Sequence, residues 1–277
     1  MRAWRGRRGA DIAQGVGLVV AGAIALAPPV WMVLASFKSE KEIFSIPPAW
    51  LFHPTIAHYV KVIASMGMGP ALRNSVITSI AATALAVALG TPAGYGIARF
   101  HFRFRRDVWF WFLSNFLVIP VVLVVPYFLL ARALGLIDSD LTLVLIYQTF
   151  CIPLVVWLTA DQFRAIPAEV AEAATIDGAG EFTVFLRVMV PLAVPGIVVG
   201  AILSLIFSWN ELLYAMILTN SSAARTAPVT ALTYLGGYTI PWGEVMAAGT
   251  LIVIPVVVFT MLVSRYLVRG LTLGAVR

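Results

Sequence analysis

Six long apolar runs divide this chain, and no other feature of the sequence limits its fold as strongly. A helix needs about 20 consecutive apolar residues to cross the hydrocarbon core of a bilayer. Only 12% of the residues are charged, whereas charged residues approach about a quarter of a soluble domain. The sequence therefore predicts an all-α membrane protein with six transmembrane helices, which we place at residues 15–37, 74–97, 108–131, 141–160, 192–218 and 245–268.

The first run follows a cluster of arginines, so it could also belong to a cleaved signal peptide. A candidate cleavage site stands at Ala25-Leu26-Ala27, but the apolar residues continue beyond it through Leu34. We therefore expect the run to remain as the first membrane helix. On this basis we expect one transmembrane domain over residues 1–277, with a core at about 70–270.

The basic residues indicate how the chain lies in the membrane. Six spans place both termini on the same side, and arginines gather at the start, after the second span, near residues 161–191 and in the tail. Cytoplasmic segments carry such an excess, so we expect the termini and residues 161–191 to be cytoplasmic. The position of these residues beside apolar runs also explains the net charge of +6 without a nucleic-acid partner.

Residues 161–191 form the longest polar interval in the second half of the chain. Ala171, Ala173 and Ala174 are strong helix formers, and Gly178 and Gly180 can take the left-handed geometry that ends a helix. An apolar stripe at helical spacing predicts a second short helix after these glycines. The stripe consists of Phe182, Phe185, Leu186 and Met189. We expect Pro191 to limit the second helix, which completes a helical hairpin.

The hairpin is also acidic. Its acidic residues are Asp161, Glu169, Glu172, Asp177 and Glu181. Small residues, an acidic face and an apolar stripe together suit a surface that lies against another protein. The alternative is an ordinary solvated loop between two membrane helices.

The sequence lacks the motifs of nucleotide hydrolysis and of nucleophilic catalysis. No G-x-x-x-x-G-K-[ST] phosphate loop occurs, so the chain cannot bind and hydrolyse ATP by that route. Cys151 is the only cysteine and has no histidine at metal-ligand spacing. His53 and His58 have no acidic neighbour, so we expect them in an exposed loop. We therefore expect neither catalysis nor a cofactor bound by this chain.

The hairpin carries a spaced motif that resembles the signature of the membrane subunits of bacterial ABC importers. The motif reads Glu172-Ala173-Ala174, three residues, Gly178, nine residues, then Val188-x-Val190-Pro191. Both valines replace larger aliphatic residues of the pattern. The resemblance implies a type I ABC importer permease fold in the bacterial inner membrane, with a coupling-helix hairpin that docks on a separate ATPase subunit. The implied docking residues are Glu172, Ala173, Ala174, Asp177, Gly178 and Pro191.

Further segments resemble the carbohydrate importers and, within them, the second permease of the maltose-transporter-like branch. These segments are Asn74-Ser75, Trp209-Asn210-Glu211, Arg225 to Val229 and the ending at residues 269–276. The resemblance implies import of a sugar or sugar alcohol by a heterodimer with a second permease. It also implies two ATPase subunits that hold ATP and Mg, and an extracytoplasmic substrate-binding protein.

Trp209, Asn210 and Glu211 form the sharpest polar feature within a predicted span. An ionised carboxylate in hydrocarbon costs at least ~2–3 kcal/mol on insertion scales, so Glu211 should face protein or water. Its carboxylate and the Asn210 amide could bond sugar hydroxyls along a substrate path, or Glu211 could hold a neighbouring permease. Two other functions stay open, which are the same machinery for a glycerophosphodiester and a secondary transporter driven by an ion gradient.

Overall fold

The computed structural model describes the backbone of residues 2–274 and the side chains of residues 14–262. The arginine side chains of the N-terminal segment lie outside the described residues, as does the end of the C-terminal motif at residues 275–276. Over the described backbone the chain forms helices, turns and irregular loops, without a strand. The prediction of an all-α protein is therefore confirmed.

The chain divides into two compact units, one made of residues 1–68 and 231–253 and the other of residues 69–230 and 254–277. A π-helical segment joins α9 to α10, and a short 3₁₀ turn follows α12. In chain order the helices are α1 (Arg2–Ser36), α2 (Glu40–Ile43), α3 (Ala57–Ala64), α4 (Met68–Arg99), α5 (Arg105–Leu117), α6 (Pro120–Ala133), α7 (Asp140–Ala165), α8 (Ala168–Ile176), α9 (Glu181–Thr183), α10 (Val190–Asn210), α11 (Leu213–Leu218), α12 (Ala227–Thr233) and α13 (Trp242–Gly274).

Within the described residues, five helices are long and apolar enough to cross a membrane. The helices α5 and α6 meet at an angle of 93° and, counted as one span, bring the total to six. The six predicted transmembrane helices are thereby confirmed. Two of them differ from the prediction. The third span is sharply bent, and the fifth runs over Glu181–Asn210 rather than 192–218.

The bend in the third span lies directly before Pro120. Val118 and Ile119 are extended, with ψ angles of 128° and 121°. At Ile119 this follows from Pro120, because a proline disfavours helical geometry in the residue that precedes it. Pro120 itself stands at the start of α6, where its missing N–H has no helical partner to lose. Prolines inside an apolar run kink a helix, so Pro120 and Pro126 predict a disturbance in this span. The structure places the disturbance at Pro120.

The helix α7 forms the centre of the main hydrophobic core of the larger unit. A β-carbon added to Gly90 of α4 would lie 2.8 Å from Val155, and one added to Gly94 would lie 2.2 Å from Thr159. The small residues of the second span therefore let α4 approach α7 closely, as they do between membrane helices in general. The buried residues of this core are Ala82, Ala86, Ala131, Leu143, Val144, Tyr147, Cys151, Val155, Tyr214, Ala215, Leu218 and Val229.

In the smaller unit, a buried carboxylate joins two segments that are far apart in the sequence. Glu244 accepts a hydrogen bond from Lys61 Nζ at 2.6 Å and lies 3.4 Å from His58 Nδ1. The hydrogen bond with Glu244 raises the pKa of Lys61. The expectation of an exposed His58 was wrong, since its ring is buried against Gly243. Its acidic partner is too remote in the chain for the sequence to reveal the pair.

Candidate functional site

The tip of the hairpin is a helix terminus closed by a glycine. Gly178 has a φ of +85°, which costs residues with a β-carbon about 1–2 kcal/mol. The N–H of Ala179 donates to the carbonyl of Ala174, and the N–H of Gly178 donates to that of Thr175, each at 3.0 Å. These two bonds form a Schellman motif, which satisfies the last free carbonyls of α8. The prediction that Gly178 ends the first helix is confirmed. The same prediction for Gly180 was wrong, because Gly180 has a φ of −67° and stands before α9 in extended geometry.

The base of the hairpin is anchored in a small apolar core. The ring of Tyr95, on α4, lies 5.2 Å from that of Phe163 and 4.9 Å from that of Phe185. Arg99, at the end of α4, donates to the carbonyl of Ile166 at 2.6 Å. The second span therefore holds both arms of the hairpin. The buried residues of this core are Phe163, Ile166, Val184, Met189 and Ala193.

The outer surface of the hairpin is exposed and carries both acidic and apolar groups. Glu172, Ala173 and Asp177 are exposed, and two large apolar side chains beside them, Ile176 and Phe182, are 86% and 73% exposed. A cavity of about 490 Å³ opens between the two arms. Its lining residues are Tyr95, Phe100, Ala171, Glu172, Thr175, Ile176, Glu181 and Val184.

The second arm of the hairpin is continuous with the fifth membrane span. We predicted a short helix limited by Pro191, but the helical backbone runs from Glu181 to Asn210 without interruption. The π-helical segment Val184–Met189 precedes the proline. Pro191 has no N–H to donate, and the wider π turn leaves room for a ring that would clash in a regular α-helix.

The π turn also changes which residues of the second arm are buried. Met189 is fully buried and Phe185 packs in the core at the hairpin base. Phe182 and Leu186 are exposed. The predicted stripe is therefore divided between two faces, because a π turn takes more residues than the α-helical turn on which the prediction was based.

At its other end, α10 stops at Asn210, although we expected the fifth span to continue to residue 218. The carboxylate of Glu211 turns forward and accepts hydrogen bonds from the N–H of Tyr214 at 2.9 Å and of Ala215 at 3.1 Å. These N–H groups open α11 and have no helical acceptor of their own. Glu211 therefore lies at a helix break rather than inside a helix, and it satisfies the backbone of the next helix.

A cavity of about 570 Å³ lies beside this break. It falls within the size range of small-molecule sites, and its walls are mostly apolar with a few polar groups, as is typical of them. The lining residues are Asn115, Phe116, Val118, Ile119, Pro120, Val121, Thr149, Phe150, Phe207, Asn210, Glu211, Leu212, Leu213 and Tyr214.

Two helix breaks face this cavity from opposite parts of the sequence. Val118 and Ile119 belong to the break between α5 and α6, and Glu211 and Leu212 belong to the break between α10 and α11. Non-helical backbone at membrane depth occurs only where protein buries it or where it lines a watered cavity. Irregular backbone from two spans therefore lines this cavity.

The structure brings together two of the three predicted substrate-path residues. Asn210 and Glu211 line the cavity, whereas Trp209 is buried and its ring lies 6.3 Å from that of Phe259. Sequence reasoning missed Asn115 and Thr149, which supply further polar groups to the lining. Each belongs to a short polar interruption of an apolar run, Ser114-Asn115 and Gln148-Thr149, and that was the one signal that pointed to it.

Comparison with known proteins agrees with this architecture. Residues 90–273 match the family described as binding-protein-dependent transport system inner membrane component. The trehalose transport system permease protein SugB of Mycobacterium tuberculosis is 37% identical over 258 residues, which cover 91% of this chain and 93% of SugB. The trehalose/maltose transport system permease protein MalG of Thermococcus litoralis is 31% identical, with 95% of each chain covered.

A solved structure shares the fold. A bacterial ABC transporter involved in the import of the acidic polysaccharide alginate has a chain that superposes with a TM-score of 0.75 at 22% identity. The match covers 95% of this chain and 98% of that chain.

The family excludes an ion-driven secondary transporter and places ATP hydrolysis on a separate subunit. It also accounts for a helical hairpin inserted between two membrane spans. This chain belongs to the family of inner membrane components of binding-protein-dependent transport systems, as a permease subunit of an ABC importer.

Proposed function

We propose that this chain and a second permease subunit form the membrane pathway of an importer for a sugar or sugar alcohol. Two relatives named for trehalose or maltose, each covered over nine-tenths of its length, support a carbohydrate rather than a glycerophosphodiester. In this proposal two ATPase subunits bind ATP and Mg and supply the energy. An extracytoplasmic binding protein delivers the substrate.

The observation that carries the proposal is the cavity of about 570 Å³ between the two helix breaks. Its aromatic lining residues can cover the apolar face of a sugar ring, and its amide and hydroxyl side chains can bond sugar hydroxyls. Asn115 donates to the carbonyl of Trp111 and Asn210 donates to that of Ile206. Each amide keeps its oxygen for a substrate hydroxyl. The polar groups are Asn115, Thr149, Asn210 and Glu211, and the aromatic ones are Phe116, Phe150, Phe207 and Tyr214.

Within this path, Glu211 has a positioning role. Both of its carboxylate oxygens already accept backbone hydrogen bonds from α11, so Glu211 maintains the break that the cavity requires. Asn210 is the residue of the pair that we expect to bind substrate. Trp209 is buried behind them and supports the end of α10.

We further propose that the hairpin tip docks on the ATPase. An exposed acidic and apolar surface on a rigidly anchored base suits a groove with basic and apolar walls. The second arm is continuous with α10, which ends at the cavity. A displacement of the docked tip would therefore move the helix that carries Asn210. Ala173, Ala174 and Pro191 contribute the helix geometry of this element, and Glu172 and Asp177 contribute its charge.

The proposed orientation places both termini and the hairpin in the cytoplasm. Ser221 and Ala179 test it, because they lie in the loop after α11 and at the hairpin tip. In a Cys151→Ser background, which retains a partner for Ser208, Ser221→Cys should react with an impermeant thiol reagent added to intact cells. Ala179→Cys should react only after the cells are opened. The reverse pattern would overturn the orientation.

The function itself is tested by transport in proteoliposomes that contain this chain, the second permease, the ATPase and the binding protein. We expect uptake of trehalose, maltose or a sugar alcohol that requires ATP and the binding protein and persists when an ionophore collapses ion gradients. A glycerophosphodiester added at the same concentration serves as the comparison. Uptake of the glycerophosphodiester alone would reassign the substrate, and uptake without ATP would contradict the mechanism.

A further inference from the structure

A further cavity, of about 400 Å³, lies in the larger unit and is lined by four arginines and two aromatic residues. It is formed by the loop that follows α4, by the first turns of α5 and by the end of α7. The proposed transport function does not use it. Its lining residues are Phe102, Arg103, Arg105, Arg106, Trp109 and Arg164.

The cavity carries a large unbalanced positive charge. Arg164 pairs with Asp161 at 2.8 Å, and the two side chains are 38% and 57% exposed. Within residues 14–262, the other three arginines of the lining have no carboxylate at ion-pair distance. Arg105 donates only to the carbonyl of Ala98, at 3.3 Å, and Arg103 lies 5.5 Å from the Phe104 ring. Four arginines that line one cavity, three of them without a carboxylate partner among the described side chains, suit an anionic ligand.

The aromatic residues place this charge at the edge of the membrane. Trp109 forms part of the cavity wall, and tryptophan is enriched at the level of the lipid headgroups. The next two residues of α5, Phe110 and Trp111, are 63% and 60% exposed. The helix therefore passes within one turn from arginines to large apolar side chains that fit the acyl region. This order matches the order of phosphate and acyl chain in a phospholipid.

We propose that this cavity binds the phosphate of an anionic phospholipid headgroup. The planar guanidinium presents a fork of donors to two phosphate oxygens, and basic pockets beside membrane helices on the cytoplasmic side hold such headgroups. The ATPase is a less suitable occupant, because the hairpin offers it an acidic surface, which is opposite in charge to this cavity. Inorganic phosphate shares the chemistry of the headgroup but lacks the acyl chains that would lie along Phe110 and Trp111.

Native mass spectrometry of the complete chain, purified in a neutral detergent, tests the proposal. The probes are phosphatidylglycerol, phosphatidylcholine and inorganic phosphate. An arginine near an anionic bilayer contributes about five-fold to binding. The double variant Arg103→Gln/Arg106→Gln should therefore bind phosphatidylglycerol about 25-fold more weakly. A variant with lysine at both positions should lose less affinity for phosphatidylglycerol, because it keeps the charge and loses only the paired donors of the guanidinium.

The matched control is Arg132→Gln/Arg187→Gln, which removes the same charge from two exposed arginines outside the cavity. We expect it to keep the preference of the native chain for phosphatidylglycerol over phosphatidylcholine. Equal binding of the two lipids by the native chain would overturn the proposal. Displacement of the lipid by inorganic phosphate at comparable concentration would also overturn it, in favour of a soluble anion. If the glutamine variant bound lipid normally but lost the ATPase on co-purification, the cavity would be a protein contact instead.

Discussion

At the hairpin end, the helix of the fifth span runs through Pro191 without a break, whereas at the other end it stops at Asn210 with no proline or glycine nearby. Residue types alone would have placed the break at the wrong end. The difference lies in how the backbone groups find partners. A π turn precedes Pro191, so the missing N–H costs little, and the Glu211 carboxylate accepts the N–H groups that the break exposes.

The two ends consequently differ in what they can do. The hairpin end makes one rigid element out of an exposed tip and a membrane helix, which suits the transmission of movement. The other end leaves irregular backbone beside a cavity, which suits contact with a solute. The predictions below alter one end at a time, and each is paired with a change that should be tolerated.

The largest effect is expected from Glu211→Ala at the break. This change leaves the N–H groups of Tyr214 and Ala215 without their acceptor, and each unsatisfied buried donor costs about 1–3 kcal/mol. We expect a lower thermal unfolding temperature in detergent and a loss of assembled transporter. Glu211→Gln keeps one acceptor oxygen, so its unfolding temperature should fall by about half as much as that of the alanine variant. Equal stability of the alanine variant and the native chain would show that the break does not depend on this carboxylate.

The hairpin tip should be next in sensitivity. Gly178→Val forces a β-branched residue into left-handed geometry, at a cost of about 1–2 kcal/mol or more, without a clash, since a β-carbon there meets nothing within 4 Å. We expect transport to fall about ten-fold with normal membrane insertion. Gly180→Val is the matched control, because Gly180 is also open and has a φ of −67°. Equal transport by the two variants would mean that the turn geometry is unimportant.

The prolines before the two helices give a direct contrast. Pro191→Ala should change the free energy of unfolding by less than about 1 kcal/mol, because alanine fits a helix that is already continuous. Pro120→Ala should lower transport a few-fold, since Ile119 is then free to become helical and to reduce the 93° bend beside the cavity. Transport assays and unfolding temperatures of both variants check this. A larger loss of transport in Pro191→Ala than in Pro120→Ala would contradict the conclusion that the helix breaks at Pro120 and continues through Pro191.

The smallest effect concerns Asp138, which holds the segment after α11. Partial burial raises its pKa, but hydrogen bonds from Ser221 and Asn220 and the charge of Arg225 outweigh this and lower the pKa overall. A carboxyl group with a lowered pKa stabilises the folded state above its ordinary pKa, and the contribution is lost as the pH falls through the lowered value. Asp138→Asn should therefore cost less than about 1 kcal/mol at pH 7 and remove part of the destabilisation below about pH 4. If Asp138→Asn lost stability at low pH to the same extent as the native chain, Asp138 would not be the group responsible.

The sequence predicted the parts of this protein that depend on local patterns. The apolar runs predicted the number of spans. Gly178 predicted the hairpin turn, because a glycine at the end of an alanine-rich helix commonly takes the left-handed conformation that ends it. Pro120, at the start of α6, predicted the disturbance of the third span. These features need only neighbours in the chain, and they could be derived without the fold.

The features that the sequence did not predict depend on distant partners. The π turn before Pro191 brings Phe185 against Tyr95 and Phe163, which come from earlier spans. The cavity requires two breaks from different spans to meet, and His58 is buried against Gly243 of α13, beside the Glu244 carboxylate. No local sequence pattern indicates such contacts between distant segments. The resemblance of the hairpin motif to ABC importer permeases supplied the function before the geometry could.

The central claim is that the exposed hairpin tip meets the ATPase and passes its movement to α10. The most direct measurement is photo-crosslinking in native membranes from a benzophenone attached to Ile176→Cys in a Cys151→Ser background. Ile46→Cys, at a position that is 97% exposed in the smaller unit, is the matched control. We predict a crosslink between Ile176→Cys and the ATPase subunit that blocks transport, and none from Ile46→Cys. A crosslink to the ATPase from Ile46→Cys alone would contradict the account.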